Sequence, residues 1–153
     1  MSVPGNTTID EVKEWLRERI DDGVECPCCT QFCKVYRRRL SSHTARILIG
    51  MWRAGGQGWV HLPSLGLGHA DEAKARYWGL IEPQPGLRDD GSPRTGWWRL
   101  TPTGAAFVRG QGKIAKYAYV YDGRVLEMDN SEWVTIEDLL GTKFDYSELM
   151  AGR

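Results

Sequence analysis

Apolar positions recur at helical spacing in two places along the first third of the chain. Ile9, Val12, Leu16 and Ile20, with Trp15 beside them, follow a Thr8/Glu11 pair at capping-box separation, and Gly23 is a natural stop. The pattern predicts an amphipathic helix over 9–21. Ala45, Leu48, Ile49 and Trp52 mark one face of a second helix, with Ser41 or Ser42 as N-cap and Gly55-Gly56 as its end. Trp59 to Leu62 reads as a short strand or as the lead-in to a helix. Pro63 to Gly68 leaves room for a helical turn only. A further firm helix is expected from about His69 to Tyr77 or Trp78, closed by Gly79.

Beyond Gly79 the period changes. Leu80-Ile81 begins a new segment, and the prolines, glycines and aspartates of 82–96 predict a loop-rich stretch with Trp97 to Leu100 as its return strand. In an alternating strand only one of Trp97 and Trp98 faces inward. Thr101 then caps a helix with Pro102 at its first position, where the missing N–H costs nothing. Lys116 to Tyr121 alternates, Asp122-Gly123 is a hairpin turn pair, and Arg124 to Met128 returns. Trp133 to Leu140 suggests a strand or helix, and Phe144 to Met150 a last short turn. These elements describe an α+β chain in three parts. Residues 1–40 hold an N-terminal helix, a cysteine cluster and a basic stretch. Residues 41–112 hold the central domain, and 113–153 an acidic C-terminal hairpin with a short helix.

The formal net charge of the 153 residues is +0, which argues against a polyanionic partner until the distribution is read. Residues 1–25 carry a net −4, residues 26–117 a net +9, and residues 118–153 a net −5. A phosphate senses the local field within about 8 Å at physiological salt, so a basic middle between acidic ends suits nucleic acid. No run of apolar residues is long enough to predict a membrane span. Met1 to Asp10 lacks the basic and apolar regions of a secretory signal, so a cytoplasmic location is expected.

Four cysteines fall at Cys26, Cys28, Cys29 and Cys33. Loops this short gain little from disulfides, so the cluster points to a metal or to free thiols. One structural zinc is the candidate cofactor, held in a zinc knuckle by Cys26, Cys29 and Cys33 with His43 as fourth ligand. Cys28 is an alternative to Cys29, and His61 or His69 to His43. The bland alternative is a set of thiols, some of them buried as small hydrophobes.

The order helix, short helix, second helix, strand, polar loop, strand, helix spans roughly 42–109. Trp78-Gly-Leu-Ile81 and Trp98-Arg-Leu-Thr-Pro-Thr-Gly104 stand at the two ends of the polar loop. This combination resembles the winged helix-turn-helix domains of bacterial and phage regulators, and the chain as a whole is similar to small proteins of phage genomes. In such domains the first segment ends the recognition helix and the second carries the wing's return strand and the following helix start. The chain departs from the pattern in the first helix of the pair, which Pro63, Gly66 and Gly68 shorten. The resemblance implies a double-stranded DNA-binding transcriptional regulator that reads the major groove with the 69–78 helix through His69, Lys74 and Arg76, with Ser64 nearby. Arg88 and Arg94 of the 87–96 wing would reach phosphates or the minor groove, and Arg37, Arg38 and Arg39 would grip the backbone. For any single cation a solvated surface role is the simpler reading. Asp71 and Glu72, in the first turn of the same helix, suit its dipole but repel phosphate.

No nucleophile–base arrangement or phosphate loop is present in the sequence, so no enzyme is expected. Winged-helix regulators often dimerise through helices outside the wing, and here the 9–21 helix or the acidic tail would serve. The competing function is a protein-interaction module on the same scaffold that binds and redirects a host protein, because fold does not determine function. A third possibility has the tail of 118–153 competing with DNA for the basic face.

Overall fold

The computed structural model describes residues 3–67, 72–86, 89–91 and 96–152. The first helix, α1 (Ile9–Arg17), starts where the sequence predicts, with the Thr8 hydroxyl accepting from the Glu11 amide. It stops four residues before the expected end. Only Val12 is buried on it, and Ile9 stands exposed, so little packing holds a longer helix. After α1 come β1 (Val24–Glu25) and β2 (Phe32–Cys33), a small hairpin with Cys26, Cys28 and Cys29 in its connection and Cys33 in β2.

The basic stretch is a strand, β3 (Tyr36–Arg39), and pairs antiparallel with β7 (Ile114–Tyr121), which pairs in turn with β8 (Arg124–Val134). The sheet order is β3-β7-β8. Asp122 and Gly123 join β7 to β8 with φ of 49° and 72°, the left-handed pair that a two-residue hairpin turn requires. The return strand is longer than the alternation suggested and runs to Val134. A capping box follows at once, with Thr135 and Asp138 each satisfying the other's backbone amide, and starts α4 (Ile136–Leu140). The last element is α5 (Tyr146–Ala151).

The central helix is α2 (Ser42–Gly55), capped by the Ser41 hydroxyl on the Thr44 amide. It is buried on more than one side. Ala45, Ile47, Leu48, Ile49 and Met51 are all buried, and Trp52, on the predicted apolar face, packs half-buried against the core. Each large apolar side chain taken out of water on this helix contributes about 1.5–3 kcal/mol. A second sheet lies beside α2, formed by β4 (Val60–His61), β5 (Ile81–Pro83) and β6 (Trp97–Leu100) in the order β4-β6-β5. Between β4 and β5 come two 3-10 segments, Leu62–Leu65 and Glu72–Trp78. The second corrects the firm helix expected over 69–78. Its inward residues, Ala75 and Trp78, are three apart, which is the 3-10 repeat. Trp78 is drawn into the core, where its indole N–H donates to the Ala115 carbonyl of β7 at 2.7 Å.

Helix α3 (Pro102–Val108) begins at Thr101, whose hydroxyl accepts from the Gly104 amide and donates to the Gly79 carbonyl. Gly104 is required by close approach. A Cβ there would lie 1.9 Å from the Leu80 carbonyl oxygen. The two ends of the 79–104 segment are thereby clamped together through backbone atoms.

One core cluster runs through all of this. It joins Leu40, Leu48 and Met51 to Leu80, Leu100 and Phe107, and these to Ala118, Val120, Val134, Ile136 and Leu140. The 113–153 segment is therefore not a loose tail, and it cannot be removed to test competition with DNA without opening the core. Among the described residues no helix is long and apolar enough to cross a membrane.

Candidate nucleic-acid interface

On the Glu72–Trp78 segment the inward pull of Ala75 and Trp78 leaves Arg76 exposed and Lys74 half-buried. The Arg76 guanidinium lies 5.1 Å from the Tyr77 ring centroid and donates to its hydroxyl at 3.4 Å. It also faces the β7–β8 turn, where a Cβ on Gly123 would stand 3.9 Å from Nη2 of Arg76. The sequence did not foreshadow this neighbour. His69, Arg88 and Arg94 lie outside the described residues.

Ser64 ends up exposed at the 62–65 turn, sharing a 2.6 Å hydrogen bond with Nδ1 of His61. That imidazole packs against the Trp97 ring, centroids 5.1 Å apart and planes tilted by 46°. The register pairs His61 with Trp97 and Glu82 with Arg99, so these side chains share the outward face of the β4-β6-β5 sheet. Arg99 bonds the Glu82 carboxylate and lies 4.4 Å over the Trp59 ring. Trp98 faces inward against the core and Trp97 outward, as alternation requires. The sequence offered His61 only as an alternative metal ligand and did not join it to Trp97 and Arg99 on one surface. The period-2 pattern from Trp97 to Leu100 carried the signal, but the partner strands did not show in it.

The three arginines of β3 separate by face. Arg37 and Arg39 lie opposite Tyr119 and Tyr117 on the outward face of the β3-β7-β8 sheet, and Arg38 lies opposite Ala118. Arg37 is committed within the fold. Its Nε and Nη2 reach Oδ2 of Asp129 at 3.0 and 2.8 Å, and its guanidinium lies 3.7 Å from the Tyr117 ring centroid. The Ser131 hydroxyl first, then the Ser131 backbone amide, this guanidinium and the Tyr119 hydroxyl bond the Asp129 carboxyl and hold it well below the usual carboxylate range. The sequence expectation for Arg37 named no such partner within the fold. Arg38 lies 4.8 Å over Tyr36, and both Arg38 and Arg39 are exposed. Arg39 borders a cleft at the start of α2 with Ser41, Ser42, Lys116 and Asp138. Lys116 stands 3.3 Å from Glu132. The acidic third of the sequence thus folds back onto part of the basic third.

At the β1–β2 tip, the Cys26 sulfur accepts from the backbone amides of Cys29 and Cys28, which lowers its pKa. Cys33 is buried. Its thiol donates to the Gln31 carbonyl at 3.5 Å and bonds the Tyr121 hydroxyl, which is pushed up to about 12, first by that bond and then by desolvation. His43 sits in the first turn of α2, half-buried. Among the described residues no group of three or more His, Cys, Asp or Glu side chains is placed to hold a metal ion. The expected set of Cys26, Cys29, Cys33 and His43 is not gathered within one chain.

No family model, no curated protein and no solved structure matches the chain.

Proposed function

We propose that this chain is a winged helix-turn-helix protein that binds double-stranded DNA and acts as a transcriptional regulator. The observation that carries the reading is the three-stranded order β4-β6-β5, set among α2, the two 3-10 segments and α3 in the chain order of such domains. In that arrangement the 69–78 segment enters the major groove with Lys74 and Arg76, and Ser64 stands at the turn before it. The β5–β6 connection is the wing and brings Arg88 and Arg94 to phosphates or the minor groove. Arg38 and Arg39, near the start of α2, hold the backbone.

The test is fluorescence anisotropy of the full chain against a random labelled duplex, titrated with salt, beside a Lys74→Ala/Arg76→Ala double variant. The expected result is binding that falls steeply with salt and weakens several-fold in the variant. A folded protein that leaves the duplex free at low salt overturns the reading.

A second reading is favoured by one feature. Strand β8 is a sheet edge and exposes Leu126 at 54% and Trp133 at 50%. Exposed large apolar side chains on an edge suit a protein partner, and the same scaffold would then serve as an interaction module. Duplex binding insensitive to Lys74 and Arg76, with loss of a partner on Trp133→Ala, would support it.

A further inference from the structure

Helix α2 carries Arg46 and Arg53 about two turns apart, with Gly50 between them. Residues at i, i+4 and i+7 share one face, so these three line one side of the helix. Gly50 leaves the middle of that side without a side chain. Leu65, at the end of the first 3-10 segment, and Leu67, just beyond it, close over the gap. A Cβ on Gly50 would stand 3.3 Å and 3.4 Å from their Cδ1 atoms. Leu149 of α5 completes the wall of a cleft of about 360 Å³, a volume in the range of small-molecule sites.

The chemistry of this cleft is one-sided. Leu65, Leu67 and Leu149 are half-buried, so part of their apolar surface still meets water. Among the described residues, the charged side chains that line it are the two guanidiniums, with no carboxylate beside them. The C-terminal segment holds both cations in place. Arg46 lies 4.6 Å from the Phe144 ring centroid. Arg53 packs against Gly152 at the end of α5, where an added Cβ would collide with its guanidinium. Arg17, Arg19, Arg37 and Arg99 each reach a carboxylate, whereas among the described residues Arg46 and Arg53 have none within ion-pair distance. Uncompensated cations beside uncovered leucines complement a ligand that is anionic at one end and apolar over the rest.

We propose that this cleft binds a small carboxylic acid, as its carboxylate, with an apolar body. The guanidiniums of Arg46 and Arg53 donate charge-assisted hydrogen bonds to the carboxylate, and Leu65, Leu67 and Leu149 cover the body. A small inorganic anion leaves the leucines wet, and a neutral alcohol leaves the cations unmet. The inference stands apart from the duplex-binding reading, and DNA affinity is not its readout.

The experiment is a ligand-observed NMR titration of the full chain with sodium octanoate, beside sodium acetate and octan-1-ol. The expected result is saturable binding of one octanoate per chain, about tenfold tighter than either control, because each control lacks one half of the recognition. Arg46→Gln and Arg53→Gln should each weaken octanoate several-fold and leave octan-1-ol unchanged. Ala54 is an exposed residue that lines the same cleft. Ala54→Glu puts a carboxylate beside the guanidiniums and should abolish octanoate binding without touching the core. Octanoate that does not saturate, or that binds no tighter than octan-1-ol, overturns the inference. So does octanoate affinity that is unchanged in the arginine variants. Should an arginine variant fail to fold, Ala54→Glu decides, and octanoate binding that survives it sinks the proposal.

Discussion

Arg37 and Asp129, 92 residues apart in sequence, meet in a 2.8 Å ion pair across the outward face of the β3-β7-β8 sheet. The Asp129 side chain is only 12% exposed, so the pair is anchored by a nearly covered carboxylate rather than by two mobile surface groups. It joins the basic stretch before α2 to the acidic hairpin, and it changes what the charge pattern means. One of the three arginines expected to hold DNA is engaged with a carboxylate of the fold.

The first prediction concerns acid. Asp129 has its folded pKa depressed below the ordinary 3.8, so it contributes stability that is fully present above that value. The contribution is lost as pH falls through the lower, folded pKa. Asp129→Asn should lower the melting temperature at neutral pH, and the gap to the unaltered chain should narrow steadily below about pH 4. Melts followed by circular dichroism between neutral pH and about pH 2.5 would show this. A gap of constant size would mean that the charge of Asp129 is not what the fold uses.

The arginines of β3 should separate by role. Arg37→Ala should destabilise the protein while leaving duplex affinity within about twofold, because its guanidinium is already engaged. Arg38→Ala/Arg39→Ala should leave the melt nearly unchanged and reduce the salt slope of binding by about two. Anisotropy and thermal melts on the same samples check both. The reverse assignment would show that the Arg37–Asp129 pair opens to admit phosphate.

Gly104→Ala should be among the most damaging single methyl additions in the chain. The new Cβ would sit 1.9 Å from the Leu80 carbonyl, and backbone has little freedom to yield. A loss of at least about 2 kcal/mol in urea unfolding is expected. A loss below about 0.5 kcal/mol would mean that α3 shifts away from Leu80 at little cost.

Asp122 places a carboxylate in the turn that faces Arg76 through Gly123. Asp122→Asn keeps a residue that tolerates left-handed φ and removes the charge. Under the duplex-binding reading, affinity at low salt should rise by about twofold, and the gain should fade as salt increases. This is the cleaner test of whether the acidic hairpin weakens DNA binding, since Ala118, Val120, Val134 and Ile136 tie 113–153 into the core. Unchanged affinity would exclude the hairpin turn from the binding face.

The positions where sequence reading succeeded share one physical basis. Thr8 with Glu11, Ser41 with Thr44, Thr101 with Gly104, and Asp122 with Gly123 are chemistry between near neighbours. A cap or a turn is decided within three residues, so the string of letters contains the whole interaction. Ser64 and Arg76, singled out in the sequence as contact candidates, both stand exposed. What the letters lacked was the partner: the imidazole behind Ser64, the hairpin turn beside Arg76, and the carboxylate under Arg37.

The sequence by itself thus determined where α1, α2 and α3 begin, where the hairpin turns, and that one of two adjacent tryptophans faces in, while the fold decided that it is Trp98. Only the tertiary structure decided that Lys34 to Arg39 contributes a strand, that 72–78 winds as a 3-10 helix, and that the acidic end closes on the basic middle. Each of those depends on contacts such as Trp78 with Ala115, or Arg37 with Asp129, between residues far apart in the chain. Their loop-closure cost is met by the core as a whole rather than by any local pattern.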